Sequence, residues 1–170
     1  MKIIIIGLGL IGGSIAKSLS SSKDHEILAF DINQSSIKNA LDNKSITRSI
    51  NALDDIGNAE FEDSLVIIST PPSVTVEVFH SIDFLFNSSV TIKDTTSAKT
   101  SLHQTLKGFN FPKNVIFSHP VAGSHLSGEI NSVSGLFKGK STVLTYHDSA
   151  TPMHLNRVIS CLLYTSPSPR

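Results

Sequence analysis

The 170-residue chain has no tryptophan, one cysteine and only three arginines, Arg48, Arg157 and Arg170. Cys161 alone cannot close an internal disulfide, and no Cys-x-x-Cys pair offers zinc-ligand spacing, so a secreted disulfide scaffold and a structural metal site both lack support. Charge is also scarce at 16%, and acids balance bases at 14 each. Without a Lys/Arg cluster the chain lacks the electrostatic footprint of a nucleic-acid binder, which leaves a small molecule as the expected partner. Long apolar runs are missing too: Ile3 to Ile6 ends at Gly7, far too short to span a bilayer. Residues 2–16 have the charged, apolar and small-residue order of a signal peptide. However, Gly7, Gly9, Gly12 and Gly13 fall where a strand, turn and helix need them. A cytoplasmic location, with no membrane partner, is expected.

What is present is a chain long enough for one ordinary domain with a real core. Apolar runs of four to six residues recur with helix-patterned stretches between them. They predict strands at about 2–6, 26–31, 64–69, 89–93, 114–118 and 141–146, with a weak short strand near 46–50. A first helix is expected from Leu10 to about Ser21, carrying Ile11, Ile15 and Leu19 on one stripe. A second follows the N-cap Asn33, with Ile37, Ala40 and Leu41 inward. A third opens at Pro72 or Ser73 and buries Val78, Phe79, Ile82 and Phe86. Alternation of this kind implies a doubly wound, mostly parallel α/β sheet, the dinucleotide-binding Rossmann class, over residues 1–150.

Gly7-Leu8-Gly9-Leu10-Ile11-Gly12 places GxGxxG directly after an apolar strand and at the mouth of a striped helix. Gly7 permits the turn, Gly9 leaves room for a pyrophosphate, and Gly12 lets helix and strand approach closely. The amides at Leu10 and Ile11 face the phosphates. Asp31 ends the next strand, 19 residues past Gly12, where its carboxylate accepts both ribose hydroxyls and repels a 2′-phosphate. NAD is therefore expected over NADP. The competing role for Asp31 is a helix cap, for which Asn33 is better placed. Thr70 and Pro71, after the fourth strand, at about 64–69, are candidate cofactor contacts. They also suit a strand end and a helix start.

Two later stretches are more specific. Lys93-Asp94-Thr95-Thr96-Ser97-Ala98-Lys99 follows the strand Val90-Thr91-Ile92, and Ser118-His119-Pro120-Val121-Ala122-Gly123-Ser124-His125-Leu126-Ser127-Gly128 follows the next one. With the opening Gly-Leu-Gly-Leu-Ile-Gly-Gly-Ser, they are similar in order and spacing to the prephenate/arogenate dehydrogenase family over about residues 1–160. That resemblance implies an NAD-dependent oxidative decarboxylation of prephenate to 4-hydroxyphenylpyruvate, with hydride leaving C4, as in tyrosine biosynthesis. It makes His119 the base that takes the C4 hydroxyl proton, a task suited to a neutral imidazole. It makes Ser97 a hydroxyl that aligns substrate oxygen and imidazole, and Gly123, Ser124 and His125 substrate contacts. Other readings stay open: His119 as a core histidine, Ser97 as the cap of a helix carrying Leu102 and Leu106, His125 as an exposed loop residue. The remaining histidines, His25, His80, His103, His147 and His154, read as surface residues, and no metal is implied.

Residues 151–160 read as the start of a helix. The resemblance implies that it leads to a helical dimerisation domain outside these residues, which also carries the carboxylate-binding arginine. From Cys161 to Arg170 the sequence abandons the helical period and resembles a translated sequencing adaptor, with a disordered Ser/Pro-rich terminus as the alternative. The chain alone is expected to bind cofactor and to lack activity. Beside this dehydrogenase, the sequence leaves open an arogenate-specific enzyme, another NAD(P) oxidoreductase and a non-catalytic nucleotide-binding module.

Overall fold

The structure, a computed structural model, describes residues 1–122 and 128–165. Its strands are β1 (Lys2–Ile6), β2 (Glu26–Phe30), β3 (Arg48–Ser49), β4 (Leu65–Ile68), β5 (Thr91–Asp94), β6 (Val115–Pro120) and β7 (Thr142–Thr145). Its helices are α1 (Leu10–Leu19), α2 (Gln34–Asp42), α3 (Pro72–Ser81), α4 (Thr100–Gly108) and α5 (Pro152–Thr165). The strands form one sheet in the order β3-β2-β1-β4-β5-β6-β7. Pairing is parallel from β3 to β6, and β7 lies antiparallel on the edge. The chain winds outward from β1 through β2 to β3, then restarts on the other side at β4. Strand order therefore reverses between β1 and β4, and a crevice opens beyond their C-terminal ends.

The run of four isoleucines makes β1 the centre of the fold. β-Branched side chains suit a pleated strand, and alternation sends them to opposite faces. Ile3 and Ile5 join the core formed with Ile15 and Leu19 of α1, Ile37 of α2 and Val158 of α5. Ile4 and Ile6 join Val78 and Phe79 of α3 and Leu102 and Leu106 of α4. Each buried isoleucine contributes about 1.5–3 kcal/mol relative to an exposed one. Asn33 caps α2 as expected, its side chain accepting from the Ser35 N–H at 3.0 Å.

Three expectations need correction. Leu41 is 38% exposed, because Ile46 returns after α2, bonds the Ala40 carbonyl and fills the space beside Ile37 and Ala40. His154 is buried: its Nδ1 lies 2.7 Å from Thr91 Oγ1, beside Arg157, whose guanidinium donates to the same oxygen and to the Ser89 carbonyl. These contacts bolt the first turns of α5 to the N-terminal end of β5. Burial, followed by the neighbouring Arg157 charge, pushes the His154 imidazole down to about 4. Lastly, the expected break at Cys161 does not occur. The helix runs on to Thr165, and His154, Val158, Cys161 and Thr165, spaced four, three and four apart, share its buried face. Residues 166–170 lie outside the described residues.

Lys93 on β5 is fully buried, and burial lowers its affinity for a proton. The cavity beside it, lined by Ile15, Pro120 and Phe137 among others, measures about 10 Å3, room for one water and no substrate. Among the described residues no helix is long and apolar enough to cross a membrane, and no three metal-ligating side chains converge.

Candidate active site

The crevice at the strand-order reversal is a cleft of about 360 Å3. Gly9, Leu10 and Ile11 form one wall, Ser69, Thr70, Pro71 and Pro72 a second, and Thr95, Thr96 and Gly128 a third. Five of the residues expected to meet a cofactor thus line a single space. Gly7 and Gly12 shape it from behind. Gly7 has φ +94°, and a Cβ there would sit 2.8 Å from the Ser69 carbonyl oxygen. A Cβ on Gly12 would lie only 1.9 Å from the Gly7 carbonyl oxygen. Gly9 differs, because a Cβ added to it would meet nothing within 4 Å. The space before Gly9 is open, as it must be if a pyrophosphate is to approach the backbone at the helix N-terminus.

Asp31 sits at the tip of β2 and turns its carboxylate towards this turn. Oδ2 accepts the Leu8 N–H at 2.6 Å, and Oδ1 accepts the Asn33 N–H at 2.7 Å. These bonds set the orientation of the carboxylate. They also leave lone pairs on both oxygens, so the group can accept two vicinal hydroxyls. Cap of α2 is Asn33, not Asp31.

Next to the Thr95 wall of the cleft stands His119, half-buried near the end of β6. Its Nδ1 lies 3.5 Å from the Thr95 carbonyl oxygen, a long contact. A carbonyl can only accept, so the contact favours the tautomer with hydrogen on Nδ1 and a free lone pair on Nε2. Ser97 is exposed, and its assignment as a helix cap is not met: α4 starts at Thr100, its N-cap is Lys99, and no side-chain cap bond forms. The structure therefore removes the structural competitor for Ser97 without bonding its hydroxyl to any described residue. Gly123, Ser124 and His125 lie outside the described residues.

A buried network missed by sequence reasoning holds Ser118, the neighbour of His119, in place. Asp94, fully buried at the end of β5, accepts from Thr96 N–H at 3.1 Å, Thr96 Oγ1 at 2.6 Å, Lys99 Nζ at 2.5 Å and Ser118 N–H at 3.2 Å. Lys99 also donates to the Ser118 carbonyl at 2.9 Å, and Ser118 Oγ donates to the Asp94 carbonyl at 2.5 Å. Ser118, the residue before His119, is thus gripped at its N–H, carbonyl and hydroxyl. Burial pushes the Lys99 ammonium below the ordinary lysine value, with Asp94 opposing that shift. An acid closing an otherwise buried strand was the available signal, since a buried carboxylate demands donors.

Neither described arginine is free to clamp a substrate carboxylate. Arg48 is paired with Glu60 at 2.6 Å and lies near Glu26, while Arg157 serves α5 and pairs with Asp63.

Known proteins resemble this chain in sequence and in fold. The sequence profile of the family described as "Prephenate dehydrogenase, nucleotide-binding domain" matches residues 15–166. The chain is 32% identical over 148 residues to a prephenate dehydrogenase of Lactococcus lactis subsp. cremoris, covering 85% of this chain and 40% of that protein. It is 32% identical over 152 residues to a cyclohexadienyl dehydrogenase of Zymomonas mobilis, covering 88% of this chain and 50% of the relative. The chain thus spans about half the length of these curated relatives or less. In three dimensions it resembles the crystal structure of prephenate dehydrogenase from A. aeolicus in complex with hydroxyphenyl propionate and NAD+. That match has a TM-score of 0.85 and 28% identity, and covers 98% of this chain and 57% of that one. With the glycine turn, the cleft and the strand-end histidine in the same chain, the protein belongs to the prephenate dehydrogenase family and supplies its nucleotide-binding domain.

Proposed function

We propose that the protein oxidises prephenate at C4 with loss of carbon dioxide from C1, giving 4-hydroxyphenylpyruvate, and that its cofactor is NAD. The observation that carries this reading is the position of Thr95, which lines the cofactor cleft and also turns its carbonyl to His119 Nδ1. Cofactor space and candidate base are joined by one residue.

The residues fit NAD. Gly9 leaves its backbone open to the pyrophosphate, Leu10 and Ile11 bring helix N–H groups to it, and Asp31 accepts the adenosine ribose hydroxyls and excludes a 2′-phosphate. Thr70 and Pro71 border the nicotinamide half. When bound, NAD supplies the acceptor for the hydride of C4. His119 Nε2 accepts the C4 hydroxyl proton, so that the oxygen can form its carbonyl as the hydride departs. Ser97 hydrogen-bonds that oxygen, and Gly123, Ser124 and His125 contact the ring or its hydroxyl. Asp94 and Lys99 keep Ser118, and with it His119, in register. Arg48 and Arg157 have structural partners, so neither supplies the cation for the substrate carboxylate. The enzyme works in the cytoplasm.

The test uses the complete gene product with prephenate and NAD. NADH, carbon dioxide and 4-hydroxyphenylpyruvate should appear in equal amounts, and His119→Asn should lower turnover by roughly 10²–10⁴-fold with cofactor affinity kept. Prephenate left unconsumed while another hydroxy acid is oxidised would reject the substrate.

A further inference from the structure

Residues 128–134 cross the outer face of α1 as a strap. Ser14 Oγ accepts the Val133 N–H at 3.0 Å, Lys17 Nζ donates to the Ser132 carbonyl at 3.0 Å, and Ser18 Oγ donates to the Ser134 carbonyl at 2.6 Å. Lys17 also pairs with Glu129 at 3.3 Å, a carboxylate only 4% exposed, to which Asn43 Nδ2 donates from beyond α2. Gly13 belongs to the same contact. A Cβ there would stand 2.8 Å from Ser132 Oγ and 2.9 Å from Ser132 Cβ. Glycine is a poor helix former, and here it permits the strap to lie against the helix. Gly13 thus has a role separate from that of Gly12, which faces the turn.

The leading residue of the strap, Gly128, lines the cofactor cleft beside Thr95 and Thr96. Those threonines follow β5, whereas Asp31 follows β2, and β1 and β4 lie between the two. With adenosine at Asp31, the Gly128 wall faces the nicotinamide half.

We propose that the strap positions the nicotinamide half of the dinucleotide, with Gly13, Lys17 and Glu129 as positioning residues that hold Gly128 against the cleft. This rests on the cleft taking NAD and is independent of the chemistry at His119. Affinity for NAD then depends on the strap, while affinity for ADP, which lacks the nicotinamide riboside, does not. A merely structural role would move both together.

Calorimetric titration of the chain with NAD and with ADP, with unfolding followed alongside, separates these cases. Gly13→Ala should weaken NAD by about tenfold, an ordinary coupling between neighbouring sites, and leave ADP within about twofold. Adding Ser132→Gly removes the colliding side chain and should restore most of the lost NAD affinity. Lys17→Met, which strips the buried Glu129 of its cation, should show the same split and decides the matter if Gly13→Ala does not fold. Equal losses for NAD and ADP, or no loss for either ligand, would overturn the positioning role. An unmodified chain that binds ADP without preferring NAD would instead overturn the assignment of the cleft to NAD.

Discussion

The two ends of the cleft are built on different principles. At the β1–β2 end the backbone defines the site: φ +94° at Gly7, a Cβ clearance of 1.9 Å at Gly12, and open space before Gly9. At the β5–β6 end side chains define it, through a buried carboxylate that gathers Thr96 and Lys99 from its own stretch and Ser118 from the next strand. In the proposed function the first end meets a constant object, a pyrophosphate and its ribose, which backbone amides and one acid suffice to hold. The second end would hold a single imidazole steady against a substrate, which requires its neighbour to be fixed from several directions.

Substitutions sharpen this contrast. The largest effect is expected at Asp94. Replacing it with leucine leaves Lys99 and the Ser118 N–H without their acceptor, and removing one member of a buried charge pair costs about 3–5 kcal/mol. Lys99 keeps 24% of its side-chain surface in contact with solvent, so the loss should fall near the lower figure. Chemical denaturation measures it, and a change below about 1 kcal/mol would mean that the network does not organise this end. Asp31→Ala should act more locally. Loss of hydrogen bonds to a charged acceptor, about 1.5–3 kcal/mol, should weaken NAD roughly 10- to 100-fold and erase its advantage over NADP, beside a loss of stability from the Leu8 and Asn33 N–H bonds that the carboxylate also accepts. Parallel titrations of the two cofactors read this out; an unchanged preference for NAD would remove Asp31 from the site.

The smallest effect at neutral pH belongs to His154, remote from both ends. Its folded-state value of about 4 lies below the ordinary 6.5, so the unfolded chain takes up the proton first as pH falls. The stability it contributes is complete above pH 6.5, declines as pH falls towards 4, and is gone below that. Denaturation midpoints measured between pH 7 and 4 should fall more steeply for the unmodified chain than for His154→Gln. Equal slopes would show that the imidazole is not held neutral against Thr91 and Arg157.

The same contrast explains what could be read without coordinates. Runs such as Ile3 to Ile6 and Leu65 to Ile68 announce buried parallel strands, and glycine spacing announces the turn, because both are local consequences of sterics and burial. Leu41 was misplaced because Ile46, five residues on, competes for the same pocket across a turn that helical periodicity does not see. His154 was misread as a surface residue because its hydrogen-bond partner, Thr91, lies on β5, 63 residues away in the chain. The Asp94–Lys99–Ser118 grip was within sight as residues and invisible as a network, since nothing local says that Asp94 and Ser118 meet across neighbouring strands. Ser97 lost its role as a cap because Thr96 turns inward to Asp94 and delays the helix to Thr100.

The central claim is that the imidazole at the end of β6 receives the substrate's hydroxyl proton beside a cofactor held by the glycine turn. The most direct measurement is turnover and NAD affinity for the complete gene product and its His119→Asn variant, at saturating prephenate. The variant should keep its NAD affinity and turn over roughly 10²–10⁴-fold more slowly, because nothing is left to accept the hydroxyl proton. Near-normal turnover in the variant would contradict the account.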